Sequence, residues 1–109
     1  MNRLPYDPES ALGWENYVVA QVAQSMLGLL APEVRAVACR FQDEVVEIHF
    51  ALPVRTPELN EDIDDICFEL DVLLDGHTAI ESVVHEGIER FDWSDRSLRG
   101  VYAAKRPTA

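Results

Sequence analysis

The pattern of apolar and polar positions predicts a helix near the start of the chain. Apolar residues recur there with the spacing of one helix face: Trp14, Val18, Val22, Met26, Leu29 and Leu30. Pro32 ends this pattern because proline cannot donate the backbone hydrogen bond that a helix interior needs. We therefore expect a first helix that reaches Leu30.

Two β-strands are predicted next, over residues 34–41 and 45–52, because both segments are rich in β-branched and aromatic residues. The three residues between them suit a hairpin connection. Side chains alternate along a strand, so Glu47 and His49 point to one side of the second strand and Ile48 and its apolar neighbours point to the other.

A second helix is predicted to begin after Thr56 and to end at Gly76. The Thr56 hydroxyl can cap the first turn, Pro57 suits the first helical position, and glycine commonly ends helices. One broad apolar stripe of this helix must face the sheet: Leu59, Ile63, Ile66, Cys67, Leu70, Leu73 and Leu74. The sheet face that it covers is expected to carry Val37, Phe41, Val46, Ile48 and Phe50.

The rest of the pattern predicts two more strands, over residues 80–85 and 98–105, separated by an irregular segment at 87–97. The order αββαββ is typical of an α+β fold with a mainly antiparallel sheet and both helices on one face. Parallel pairing at the centre of the sheet stays open.

Length and composition indicate one globular domain, since the chain has 109 residues and 48% of them are hydrophobic. We expect a leader at 1–12, a folded core at 13–106 and a tail at 107–109. The start of the chain contains acids and no long apolar run, so neither a secretory signal nor a membrane-spanning helix is predicted. A cytoplasmic location is therefore expected.

The negative charge is concentrated in one part of the chain. The formal net charge is −11, and residues 43–75 contain eleven acids against Arg55 alone. Such a surface repels nucleic acid and anionic membranes and attracts basic proteins. We therefore expect a basic protein partner, with no direct binding to nucleic acid or membrane.

Helical geometry places the acids of the second helix on both sides of its apolar stripe. One flank carries Glu58, Asp62, Asp65 and Glu69, and the other carries Asp64, Asp71 and Asp75. Opposite the stripe lie Glu61, Phe68 and Val72, and the last two are neighbours at i and i+4. An apolar pair with a charged rim favours protein binding. The candidate partner-binding residues are Glu58, Glu61, Asp62, Asp64, Asp65, Phe68, Glu69, Val72 and Asp75.

Two arrangements of this apolar pair stay open at the sequence level. Phe68 and Val72 either face solvent or are covered by the first helix or by the segment that contains Phe91 and Trp93. The open sheet face with Glu47 is a second possible binding surface, but the charge is densest on the second helix, which we prefer.

The residues do not predict catalytic, cofactor or metal chemistry. The glycines are isolated, so no phosphate-binding loop is expected, and the serines lack a nucleophile-elbow context. Asp62, Asp64 and Asp65 lack the glycine of a calcium loop and lie in a helical pattern, which points them apart. The histidines, His49, His77 and His85, have no metal-ligand spacing, and Cys39 and Cys67 are expected to be buried free thiols.

Four segments carry a resemblance to a known family: LLAPEVRAVACRF, EVVEIHFAL, NEDIDDICFELDVLL and LRGVYAAKR. With the leading helix that runs to the first of these segments, the resemblance spans roughly residues 15–106. The arrangement resembles the small acidic immunity proteins encoded beside bacterial polymorphic toxins, including those of contact-dependent growth inhibition systems. This resemblance implies a cytoplasmic protein that binds a toxin domain delivered by a sibling cell, often a nuclease, and blocks its active site or its substrate surface.

Two alternatives to an immunity protein are kept. An adaptor or regulatory subunit would use the same acidic surface for another basic protein. A small-ligand binder, the weaker alternative, would need a pocket under the segment from Phe91 to Trp93.

Overall fold

The computed structural model describes residues 9–76 and 78–104 and gives them the predicted order αββαββ. The elements are α1 (Ala11–Ser25), β1 (Ala36–Gln42), β2 (Val45–Leu52), α2 (Pro57–Leu73), β3 (Ala79–Glu86) and β4 (Leu98–Ala103). The α+β fold class is thereby confirmed. Most of the expected leader and all of the expected tail lie outside the described residues, and α1 begins inside the segment expected to be leader.

The four strands form one mixed sheet in the order β3-β2-β1-β4. β1 pairs antiparallel with β2 and with β4, whereas β2 and β3 are parallel. The parallel pair follows from the connection, because α2 carries the chain back across the sheet before β3 begins. The sheet is therefore mainly antiparallel, as predicted, with one parallel pair at the β3 edge.

The first helix is shorter than predicted. It ends at Ser25 with Met26 as its cap, and Gly28 then takes a positive φ of 77°, which a helix interior does not allow. Leu29 and Leu30 still pack partly against the core, but from the connecting turn. Their apolar spacing therefore reflects burial and not a continuing helix.

The second helix begins after Thr56 as the sequence predicts, and it ends at Leu73, with Leu74 as its cap and Asp75 and Gly76 in the turn that follows. The Thr56 hydroxyl accepts a hydrogen bond of 3.1 Å from the Leu59 backbone N–H, and Pro57 occupies the first turn. At the other end Gly76 has a φ of 67°, and its N–H donates to the Asp71 carbonyl at 2.9 Å. These two caps fix which α2 residues face the sheet.

Both helices pack on one face of the sheet, as predicted, and form the main core with it. Val18 and Val22 of α1 and Ile63, Ile66 and Leu70 of α2 are buried there. The strands contribute a buried row to the same core: Val37, Cys39, Val46, Ile48, Phe50 and Leu52. At the end of α2, Leu74 is buried as predicted, whereas Leu73 is only half-buried, so the prediction of Leu73 as a core residue is wrong.

The two cysteines are free thiols, as predicted, but only Cys39 is fully buried. Burial raises the pKa of Cys39 to about 12. Cys67 is half-buried on α2, and burial, with the nearby Asp64 carboxylate as a smaller cause, raises its pKa to about 11. Both sulfurs are therefore protonated and poorly nucleophilic at neutral pH.

The other face of the sheet has a smaller core. Ala36, Ala38 and Ala51 lie under Phe91, which belongs to the irregular connection between β3 and β4. We refer to residues 88–97 as the covering segment. Within the described ranges, no helix has the length and apolar character that a membrane crossing requires.

Candidate protein-binding surface

The outer face of α2 exposes an apolar pair at its centre. The Phe68 side chain is 65% exposed and Val72 is 54% exposed, one helical turn apart. The alternative in which α1 or the covering segment hides this pair is therefore wrong. A phenylalanine on the solvent side of a helix adds nothing to the core, so its contact area is free for another molecule.

Carboxylates surround this pair along the whole helix. Those exposed to solvent are Glu58, Glu61, Asp64, Asp65, Glu69, Asp71 and Asp75, while Asp62 is only partly exposed. At 1.5 Å per residue the acidic face extends for about 25 Å. We call this face, with Phe68 and Val72 at its centre, the acidic face of α2. It includes every residue that the sequence proposes for partner binding.

The acidic face of α2 has no internal counter-charge in the part of the chain that the structure describes. The ion pairs there join Glu15 to Arg99 at 3.2 Å and Glu47 to His49 at 3.1 Å, and neither involves α2. Arg55 lies close to the helix start but donates its side-chain N–H to the Asn60 amide oxygen. The α2 carboxylates are therefore hydrated, and a cationic partner can approach them.

A cleft of about 360 Å³ adjoins the N-terminal end of this face. Carboxylates of Glu33, Glu58 and Asp62 stand around it, and Val54 and Leu59 supply apolar walls. The sequence did not point to Glu33 or Val54, since both lie in connections between elements. The only signal in the sequence was an apolar residue, Val54, between the predicted second strand and the start of the predicted second helix. The cleft lengthens the acidic face beyond the helix itself.

The sheet face with Glu47 and His49 is not open as the sequence suggested. Phe91 is 6% exposed and covers it, and His49 is 7% exposed. His49 Nδ1 lies 2.8 Å from His85 Nε2, and His49 Nε2 lies 3.1 Å from Glu47 Oε1. Sequence reasoning missed His85 because its approach depends on the parallel pairing that places it opposite Ala51.

The arrangement of side chains also bears on metal and ligand chemistry. Among residues 9–76 and 78–104, no three or more His, Cys, Asp or Glu side chains converge as a metal site requires, and His77 lies outside the described residues. Beside the covering segment, clefts of about 180 Å³ and 400 Å³ adjoin Trp93 and Arg90. The space directly beneath the segment is filled by Phe91.

Comparison with known proteins adds no family to this geometry. No protein-family model matches the chain, and no curated protein matches it significantly.

Proposed function

We propose that this protein is a cytoplasmic immunity protein that binds a cognate bacterial toxin domain through the acidic face of α2 and neutralises it. The observation that carries the proposal is the exposed Phe68–Val72 pair among exposed carboxylates that form no ion pair with any residue of 9–76 or 78–104. Binding sites combine an apolar anchor with a charged rim in this way. The resemblance of the sequence to immunity proteins points to the same role.

A basic nuclease domain is the toxin that suits this surface best. A nuclease has to hold phosphates, so its substrate surface carries Lys and Arg side chains. The net charge of −11 attracts such a surface over long range, and the α2 carboxylates can pair with the same cations on contact. The bound helix would then occupy the place of the nucleic acid and keep substrate out.

The apolar pair and the acids have different tasks in this mechanism. Exposed carboxylates steer the partner and raise the association rate, but each solvated ion pair adds little affinity. Phe68 can bury its ring in the partner and exclude water, which slows dissociation. Affinity is therefore expected to depend mainly on Phe68, and the rate of encounter mainly on the acids.

Neutralisation of a toxin is the test of this proposal. The proposal expects a large secreted protein to be encoded immediately upstream of this protein, and the C-terminal domain of that protein is the probe. We expect co-expression to prevent its growth arrest and the purified protein to block its cleavage of labelled DNA or RNA. Phe68→Ala should weaken both effects. Leu12→Ala is the matched control, because Leu12 is exposed to a similar extent on α1.

The outcomes separate this function from the alternatives. A complex that forms without loss of toxin activity would favour the adaptor or regulatory subunit, which uses the same acidic face for a basic protein. Absence of any complex at low ionic strength would contradict the immunity function. A small-ligand binder would instead change its thermal stability on ligand addition, with the change lost on substitution of Trp93 beside the two clefts.

A further inference from the structure

Two histidines meet on the side of the sheet away from the helices. His49 Nδ1 and His85 Nε2 lie 2.8 Å apart, with the rings stacked at a centroid distance of 5.1 Å. The other nitrogen of His49 lies 3.1 Å from a Glu47 carboxylate oxygen. We call His49 and His85 the histidine pair. A contact of 2.8 Å between ring nitrogens is a hydrogen bond, so one of the two facing nitrogens must carry a proton and the other must not.

The histidine pair is in contact with the covering segment. The Phe91 ring stands edge-on to both imidazoles, at centroid distances of 6.3 Å from His49 and 5.2 Å from His85. Trp93 stands edge-on to Phe91 at 5.7 Å, and its ring lies over Gly100 of β4. The aromatic rings of the segment therefore rest on the histidine pair and on the neighbouring strand, and movement of the imidazoles would be transmitted to Phe91 and Trp93.

Counting protons shows which states the histidine pair can adopt. When both rings are neutral, His85 Nε2–H can donate to His49 Nδ1, while His49 Nε2–H donates to Glu47. One added proton is also accommodated, since a His49 imidazolium donates to Glu47 and to His85 at once. A second proton would place two N–H groups against each other across 2.8 Å. The doubly protonated pair cannot keep this geometry.

Charged groups from every neighbouring element face this site. Glu47 and Glu81 are register partners across β2 and β3, and Arg40 of β1 is the register partner of Glu47 on its other side. Asp95 of the covering segment interacts electrostatically with Arg40 and His49. The Glu47 carboxylate lies against His49 Nε2, and Glu81 and Asp95 add negative charge around the imidazoles. These acids do not relieve the clash that a second proton creates between the rings.

The turns inside the covering segment do not depend on the histidines. The Asp92 carboxylate accepts hydrogen bonds from the backbone N–H and the hydroxyl of Ser94, and Asp95 does the same with Ser97. These hydrogen bonds hold the pKa of Asp92 and of Asp95 below the usual range. Both turns therefore persist at pH values at which histidine becomes charged.

We propose that the histidine pair is a pH-sensitive contact: entry of a second proton breaks the Nδ1···Nε2 hydrogen bond and releases the covering segment from the sheet as an intact unit. Burial, and to a smaller extent the neighbouring His49, lowers the pKa of His85 below its ordinary 6.5. The release is thus expected in mildly acidic solution. This inference is independent of the proposed function.

The test uses the whole protein and measures both the protonation of the two histidines and the release of the covering segment. Fluorotryptophan labelling gives separate ¹⁹F resonances for Trp93 and Trp14, assigned with Trp93→Phe, and ¹⁵N-histidine spectra report the protonation of each ring. On titration from about pH 7.5 to about pH 5, we expect the Trp93 resonance to move in step with uptake of the second proton by the histidine pair. The Trp14 resonance, on α1, serves as the internal control and should stay in place.

The variant His85→Gln sharpens this test. Glutamine can donate an amide N–H to His49 Nδ1 but cannot accept a proton, so the Trp93 resonance should lose its movement with pH. Movement of the same size in His85→Gln would overturn the proposal. So would a wild-type protein in which both His49 and His85 become charged while Trp93 stays in place, and that second measurement stands even if the variant does not fold.

Discussion

Two surfaces of this molecule carry acidic side chains, and they differ in where the partner of each acid lies. On the covered sheet face, the Glu47 carboxylate contacts the His49 imidazole, and the Phe91 ring packs edge-on against the same imidazole. On the acidic face of α2, the carboxylates and Phe68 face solvent, and no ion pair of the described residues reaches them.

The difference shows how an interaction surface can be distinguished from a structural one. A half-buried carboxylate needs a partner inside the chain, since desolvation without a hydrogen bond is costly. An exposed carboxylate costs little while water surrounds it, even at like-charge spacing along a helix. The acidic face of α2 is therefore tolerated by the fold without being needed for it, whereas the Glu47–His49 contact is part of the fold.

The largest expected effect tests whether the two sides of α2 differ as described. Leu70→Ala removes a fully buried side chain and should lower the free energy of unfolding by about 2 to 5 kcal/mol in urea denaturation. Phe68→Ala, on the same helix, should change it by less than about 1 kcal/mol. Equal losses at the two positions would mean that Phe68 is part of a buried interface.

The next largest expected effect is a loss of affinity for the partner in Phe68→Ala. If the proposed toxin partner binds the acidic face of α2, Phe68→Ala should weaken that binding by about 2 kcal/mol or more, mainly through faster dissociation, because an apolar anchor acts after contact is made. Surface plasmon resonance with the toxin domain measures both rates. Leu12→Ala is the control for a similarly exposed side chain on the other helix. A slower association with unchanged dissociation would assign Phe68 to encounter and not to anchoring.

Charge reversal on the acidic face tests steering. Asp62→Lys combined with Asp65→Lys should slow association about tenfold at low ionic strength and flatten its dependence on salt. Glu44→Lys combined with Glu89→Lys changes the net charge equally but lies outside α2, in the hairpin and the covering segment. If both double variants slow association equally, total charge matters and the position of the acids does not.

The smallest expected effect is the pH dependence of stability that arises from His85 on the covered sheet face. The pKa of His85 is lowered in the folded protein, so the unfolded chain takes up its proton first as the pH falls. Stability is then complete above the unfolded pKa near 6.5 and decreases below it, by at most about 1.4 kcal/mol per pH unit for one proton. Urea denaturation at several pH values should show a weaker decrease in His85→Gln than in the wild type.

Local signals in the sequence were sufficient for α2 and for most of the core. Thr56, Pro57 and Gly76 fix the ends of the helix chemically, and a strong apolar period fixes its buried side. The end of α1 was not predictable in this way. Its apolar spacing continues to Leu30 although the backbone turns at Gly28, since residues of a turn can be buried as well as residues of a helix.

Two features could not be predicted because they depend on tertiary packing: the exposure of the acidic face of α2 and the formation of the histidine pair. Whether Phe68 is exposed depends on where α1 packs, and periodicity alone left both outcomes open. The approach of His85 to His49 requires the parallel register of β2 and β3, which joins residues far apart in the chain. The candidate residues on α2 could thus be named in advance, but their exposure and the histidine pair could not.

The crossover connection has a consequence for folding kinetics. Because α2 is the link between the parallel strands β2 and β3, these strands pair only after the helix has brought the chain back across the sheet. We therefore expect the helix that carries the crowded carboxylates to dock before the edge strand β3 adds to the sheet. Their mutual repulsion should oppose that step, so moderate salt, which screens exposed charges, should speed the refolding of this chain.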